Sequence, residues 1–379
     1  MNSVQKSSHR VAGLVAALAF VGTGVHAADF KLGAAGELEI KGDLRLRQES
    51  KTEEGATTAD NKTNNRQRYR LRVGMNYKID SKLSVKTQFA SGTGEQTSTN
   101  QTMGGNSTQK QLWIDMAYVE FKPIDALTAY GGRMKNNMWQ AYSSDIVWDT
   151  DYNPEGLAES IKVPVGSMRF FVNALQSTIN EDLVGSSTAT KPQYLFSNQV
   201  GITVPMPMDS RVTLAGAIHD FVNERSRAIT AVPPGKAQGT NTFPNDIRVN
   251  ELSGEFFTNL PAINVPLSVQ GTFIKNTASN DTLTPNDNTG YQAGGILGKA
   301  DRKSAWEVAY FKKSSGKDST EDDIADSDFP GTNRVGNIYW VAYGLSDVAG
   351  LKAKYFDTKA INGAKKDIQL VQIDFQVKF

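Results

Sequence analysis

The feature that most limits how this chain can fold is a strict alternation in the length of its connections. Sixteen segments with period-two hydrophobicity are expected at 37–49, 67–79, 83–93, 112–121, 127–134, 157–163, 168–175, 193–204, 211–222, 247–258, 267–276, 291–299, 304–312, 336–344, 351–357 and 367–379. In the first, Leu38, Ile40, Leu44 and Leu46 share one parity, and Glu39, Lys41, Asp43, Arg45 and Arg47 the other. In the second, Tyr69, Leu71, Val73, Met75 and Tyr77 oppose Arg68, Arg70 and Arg72. A strand sends successive side chains to opposite faces, so each segment has an apolar face and a polar one.

Between these segments, short turns and long loops take strict turns. Asp80-Ser81-Lys82, Lys122-Pro123-Ile124-Asp125, Pro164-Val165-Gly166-Ser167, Asp301-Arg302-Lys303 and Ser346-Asp347-Val348-Ala349-Gly350 carry turn residues. The intervening stretches, such as 50–66, 94–108 and 223–246, are long and rich in Ser, Thr, Asn and Gly. Half-buried strands of a soluble sandwich also alternate in polarity, but a sandwich has no reason to alternate its loop lengths. An even number of strands with tight turns at one end and long loops at the other describes an outer-membrane β-barrel. Closure of the sheet matters physically, because lipid offers no partner to an open edge. Tyr69 and Tyr77 lie eight residues apart on the apolar face, roughly 20 Å of depth after strand tilt, which suits two aromatic belts. Trp113, Tyr343, Tyr355 and Phe375 are candidates to join them.

The N-terminus reads as an export signal. Lys6 and Arg10 precede an apolar run over residues 11–21, and Val25-His26-Ala27 supplies small residues for cleavage after Ala27. Residues 28–379 are then a single barrel domain. No later stretch has 18 consecutive apolar residues, so helical membrane spans are excluded. Removing the signal takes the formal charge from +1 to −1, far from the basic excess of nucleic-acid binders. Cysteine is absent, and of three histidines only His219 lies beyond the signal. That leaves no thiolate or multi-histidine metal site and no cofactor motif. A Ser-His-Asp triad would have to use His219, yet its neighbour Asp220 points to the opposite face of the strand.

In the last segment, Val371, Ile373, Phe375, Val377 and Phe379 alternate with Gln372, Asp374, Gln376 and Lys378, and Phe379 ends the chain. This resembles the terminal aromatic signature of outer-membrane proteins, which implies recognition of Phe379 by the assembly machinery. With the alternating loops and the signal, the chain resembles the bacterial porins, closest to the putative-porin families. The resemblance implies a Gram-negative outer-membrane location among lipid and lipopolysaccharide and a homotrimer. It also implies passive diffusion of small hydrophilic solutes and ions, without catalysis. An adhesin or receptor acting through the external loops, or an outer-membrane hydrolase, are the alternatives. A plugged transporter is disfavoured, since no separate domain precedes the first strand.

Two groups of side chains are the candidate site. Arg45, Arg47, Arg68, Arg70, Arg72 and Arg133 are expected to form a basic lumen wall. The third long loop, Asn136–Glu155, holds Trp139, Tyr142, Ile146, Val147, Trp148 and Tyr152, more apolar surface than a solvated loop carries. In sixteen-stranded porins this loop narrows the lumen, which implies that Asp145, Asp149 and Asp151 face the arginines across the pore. Opposed charges of this kind create a transverse field. Asp149-Thr150-Asp151 resembles a calcium loop only weakly, because Pro154 stands where glycine is needed. The acidic run 318–328 is expected to be a solvated loop, or to hold divalent ions against lipopolysaccharide.

Overall fold

A computed structural model of the chain describes residues 29–31, 36–55, 61–141, 144–180, 192–223, 247–260, 263–278, 287–362 and 366–379. The expected signal over residues 1–27 lies outside them. The strands are β1 (Asp29–Lys31), β2 (Glu37–Glu53), β3 (Lys62–Lys78), β4 (Leu83–Ala90), β5 (Gln101–Thr102), β6 (Trp113–Ile124), β7 (Leu127–Arg133), β8 (Glu155–Val165) and β9 (Met168–Asn180). They continue as β10 (Gln193–Met206), β11 (Ser210–Val222), β12 (Ile247–Leu260), β13 (Val265–Asn276), β14 (Thr289–Gly298), β15 (Trp306–Ser315), β16 (Arg334–Gly344), β17 (Ala349–Ala360) and β18 (Ile368–Lys378).

All but β1 and β5 form a closed, sixteen-stranded antiparallel barrel in which each strand pairs with the next. β18 closes it on β2, from Lys378↔Asp43 to Ile368↔Glu53. β1 takes up the same edge of β2 where the chain end leaves it, with Asp29 opposite Glu39. Closure leaves the sheet no open edge, where each unpaired backbone group in lipid would cost several kcal/mol.

Burial confirms which face is which. Leu44 and Leu46 are 39% and 43% exposed, whereas Arg47, next along the strand, is 6% exposed. Apolar residues point out and polar residues in, the inverse of a soluble domain. Tyr310, Tyr339 and Tyr355 form a contiguous outer row, with ring centroids 5.1 and 6.2 Å apart.

All sixteen expected strands are present, and several run further toward the long loops. β3 starts at Lys62 and pairs it with Glu53. These extensions are polar on both faces, so no alternation marks them in the sequence. β4 stops earlier than expected, at Ala90, because the chain turns inward around Gly92, whose φ of +129° suits glycine. It returns to pair β5 with Arg68 and Tyr69 of β3.

The barrel is not an empty tube. Met134, Met138, Ile146, Val147, Trp148 and Tyr152 of the third long loop (residues 134–154) pack on Ala158, Leu175, Leu195, Phe221, Val249 and Ile274 of the inner wall. Phe329 of the seventh long loop (residues 316–333) packs with Phe311, Trp340 and Phe356. Two cavities lie inside the barrel beside β2, β17 and β18.

Candidate functional site

Antiparallel pairing places Arg45 opposite Arg70, Arg47 opposite Arg68, and Asp43 opposite Arg72. Like charges so close require carboxylates among them. Asp43 accepts from Arg70 at 2.7 Å and from Arg72 at 2.8 Å. Glu49 pairs with Arg66 and, at 3.5 Å, Arg68. Asp374 accepts two hydrogen bonds from Arg47, at 2.7 and 2.8 Å. Within the wall, Arg45, Arg47, Arg66, Arg68, Arg70 and Arg72 share the three carboxylates of Asp43, Glu49 and Asp374, so the strands themselves carry a positive excess.

Arg133 does not belong to this wall. Alternation puts Met134 inside and Arg133 outside, where it donates to the Asp115 carbonyl and to the exposed Glu155 carboxylate, each at 2.8 Å. The expectation that it lines the lumen is corrected by parity at the end of β7.

The third long loop is fixed by its backbone as well as its apolar side chains. Gln199 bonds both the N–H and the carbonyl of Trp139. Asn137 donates to the Glu159 and Ala174 carbonyls, and Ser144 meets Thr272 at 2.8 Å. Trp148 rests edge-on against His219, with centroids 4.9 Å apart. His219 is buried between Ser197 and Glu251, both at 2.9 Å, while Asp220 faces outward to Arg248. Neither Ser197 nor Glu251 was legible as a histidine partner, since both come from neighbouring strands. The imidazole sits beneath Trp148 and serves to seat the loop.

The seventh long loop overturns the expectation of a solvated acidic run. Asp318, Thr320, Glu321 and Asp326 are buried, and Ile324 joins the core of the third loop. Asp149 N–H donates to the Ile324 carbonyl at 2.7 Å, and Thr320 Oγ1 to the Val147 carbonyl at 2.8 Å. Lys313 Nζ from β15 lies 3.1 Å from Asp145 and 2.9 Å from Asp326. The second long loop (residues 91–112) completes the ring, where Gln96 donates to the Asp323 carbonyl and Ser327 to the Thr97 carbonyl.

Arg45, Arg47, Arg70, Asp145, Asp149 and Asp151 line one cavity of about 170 Å³. Lys352, Lys354, Asp326, Asp328 and Asp374 line it too, and sequence reasoning missed them as site residues. Burial and the charge of Asp326 push Asp145 up to about 6, against the pull of Lys313. Burial and Asp151 hold Asp149 well above the usual carboxylate range. Burial alone would raise Asp328, but Arg47 and Lys354 hold it down at about 2. Arg72 reaches Asp151 at 3.7 Å, the direct span between wall and loop. A second cavity of about 270 Å³ continues toward the short-turn end and shares Arg45, Lys352 and Asp374.

Residues 35–254 and 252–379 match a family model described as Putative porin. No curated protein sequence matches the chain. Among solved structures, Salmonella typhi OmpF in complex with daunomycin is similar at 10% identity and a TM-score of 0.53, covering 93% of this chain and 100% of that one. Pseudomonas putida OprB at high pH aligns at 11% identity and 0.56, covering 90% and 94%. The outer membrane channel DcaP of Acinetobacter baumannii aligns at 13% and 0.51, covering 93% and 100%. At these identities the structural likenesses speak for the fold.

Proposed function

Since the chain belongs to the Putative porin family, and is thereby a diffusion channel of the Gram-negative outer membrane, we propose that a transverse field at its three-loop ring sets which solutes pass. The observation that carries this reading is the shared cavity of Arg45, Arg47 and Arg70 with Asp145, Asp149 and Asp151. Charges of opposite sign across a narrow, low-dielectric passage orient dipolar solutes and set ion preference. Arg68 and Arg72 extend the basic wall behind the lining residues. The solutes are small, hydrophilic molecules and ions moving down their gradients, and no residue is assigned to catalysis.

Three further parts of the reading rest on the N-terminal sequence and on the resemblance to porins. Residues 1–27 are removed on export, Phe379 is read by the assembly machinery, and the barrel assembles as a homotrimer surrounded by lipid and lipopolysaccharide.

Single-channel recording of the refolded protein in a planar bilayer tests the proposal. Discrete conducting steps are expected, arriving in threes for a trimer. A barrel that inserts and stays silent would refute the channel. Neutralising Arg68, Arg70 and Arg72 together is expected to shift permeability toward cations, and an unchanged reversal potential would defeat the transverse field.

A further inference from the structure

The lumen cations differ in how far their donor hydrogens are already committed. Arg47, Arg70 and Arg72 each donate to a carboxylate within 3.1 Å. On the neighbouring strand β17, Lys354 makes neither a hydrogen bond nor an ion pair among the described residues; its Nζ lies 4.4 Å from the Phe356 ring and 5.8 Å from Trp340. Lys352 sits 4.4 Å over Trp340 and comes no closer than 3.7 Å to Glu307. That carboxylate already accepts the Trp340 indole N–H at 2.6 Å. Arg45 donates to Asn100 at 2.5 Å, approaches Asp374 only to 3.8 Å, and has a buried Nε without a partner.

These three cations are also placed alike. All line the 170 Å³ cavity, and Arg45 and Lys352 line the next one as well. Aromatic faces behind the two lysines steady the ammonium groups from the wall side, leaving their hydrogens for the lumen. The guanidinium offers a planar fork to two oxygens at once, and a lysine acts as a point charge beside it. An anion with two or more oxygens can span Arg45 and a lysine with separate acceptor atoms, whereas chloride offers a single acceptor centre. Asp151 and Asp328, which line the same cavity, keep the contact from becoming a trap, which a conducting site must avoid.

We infer that Arg45, Lys352 and Lys354 are the contact point for small oxyanions, carboxylates and phosphates, crossing the channel. This rests on the diffusion-channel reading and names the solute class within it.

The test compares the wild type with Lys352→Gln/Lys354→Gln in planar bilayers. It uses a potassium chloride gradient first, then adds succinate or inorganic phosphate to one side. Wild type is expected to favour anions, and both additives should interrupt the chloride current. The double variant should lower the anion-to-cation permeability ratio about threefold or more and lose the interruptions, while still conducting. Lys354→Arg, which keeps the charge, should retain both effects and guards against a folding artefact. Interruption by succinate alone would narrow the class to carboxylates, and by phosphate alone to phosphates. A conducting double variant with an unchanged ratio and unchanged interruptions overturns the assignment while leaving the channel standing. A silent wild type overturns the channel and the assignment with it.

Discussion

The side chain of Gln199 holds the backbone of Trp139 at both ends. Trp139 N–H donates to Oε1 at 2.7 Å, and Nε2 donates to the Trp139 carbonyl at 2.8 Å. Asn173 of the adjacent strand steadies Oε1 with a further bond at 2.9 Å. One amide thus does for the third loop what a neighbouring strand does within a sheet. Gln199→Leu would leave a buried N–H and C=O without these partners, at about 1–3 kcal/mol. The barrel is expected to stay intact in detergent while open-channel current noise rises. Equal noise in variant and wild type would show that the loop is held elsewhere.

Lys313 joins the third and seventh loops through Asp145 and Asp326. Removing one partner of a buried ion pair costs about 3–5 kcal/mol, because the charges left behind have no water to return to. Lys313→Met should therefore release both loops, giving unsteady conductance levels and faster proteolysis within residues 316–333. Adding Asp145→Asn and Asp326→Asn to that variant should restore steady levels. A triple variant no steadier than the single one would show that Lys313 acts by packing on Phe329, 4.8 Å away.

The acidity of the loops gives the channel a pH dependence of definite sign. Asp145, raised to about 6 by burial and Asp326, takes up a proton as pH falls from neutrality. The arginines opposite keep their charge, so the lumen becomes more positive and anion preference should rise with a midpoint near pH 6. The folded state disfavours ionised Asp145, so its contribution to stability is full below 3.8 and lost as pH rises through about 6. Asp328 behaves oppositely: its contribution is present above 3.8 and lost as pH falls toward about 2. Reversal potentials measured from about pH 8 to about pH 5 check the first point, and Asp145→Asn should flatten the curve.

Why the wall was legible and the ring only partly so follows from the range of the interactions. Leu44, Arg45, Leu46 and Arg47 declare their faces through neighbours two residues away, a purely local rule. The third loop declares itself by surplus apolar side chains such as Trp148 and Ile146. The seventh loop shows no such surplus; its Asp326 is buried only because Lys313, Phe311 and Trp340 make a place for it and for Phe329. Lys352 and Lys354 alternate as regularly as Arg45 and Arg47. Their part in the site depends on β18 bringing β17 beside β2, a closure no local pattern records. Arg133 failed for the opposite reason, since a strand of seven residues leaves its parity open until Met134 is seen inside.

The closure itself offers the last prediction. Gly42 and Phe379 exchange backbone hydrogen bonds at 2.8 and 3.0 Å, so the final residue is bonded to the first barrel strand. A Cβ on Gly42 would run into the Phe379 ring and come within 2.5 Å of the Arg72 carbonyl, and the second of these is backbone that cannot swing aside. Glycine is required there by close approach rather than by its dihedral freedom. Gly42→Val would push the terminal ring off its seat and strain the β2–β3 ladder at the point where the barrel shuts. Refolding into detergent, followed by migration of heated and unheated samples, should show slower closure and a lower melting temperature than wild type. Phe379→Leu keeps an apolar side chain at that seat, so it should close at nearly the wild-type rate in this purified system while reaching the outer membrane poorly in cells. That difference would separate the ring's mechanical role from its reading by the assembly machinery. Equal loss of both in Phe379→Leu would mean that the ring's fit over Gly42 is what the cell depends on.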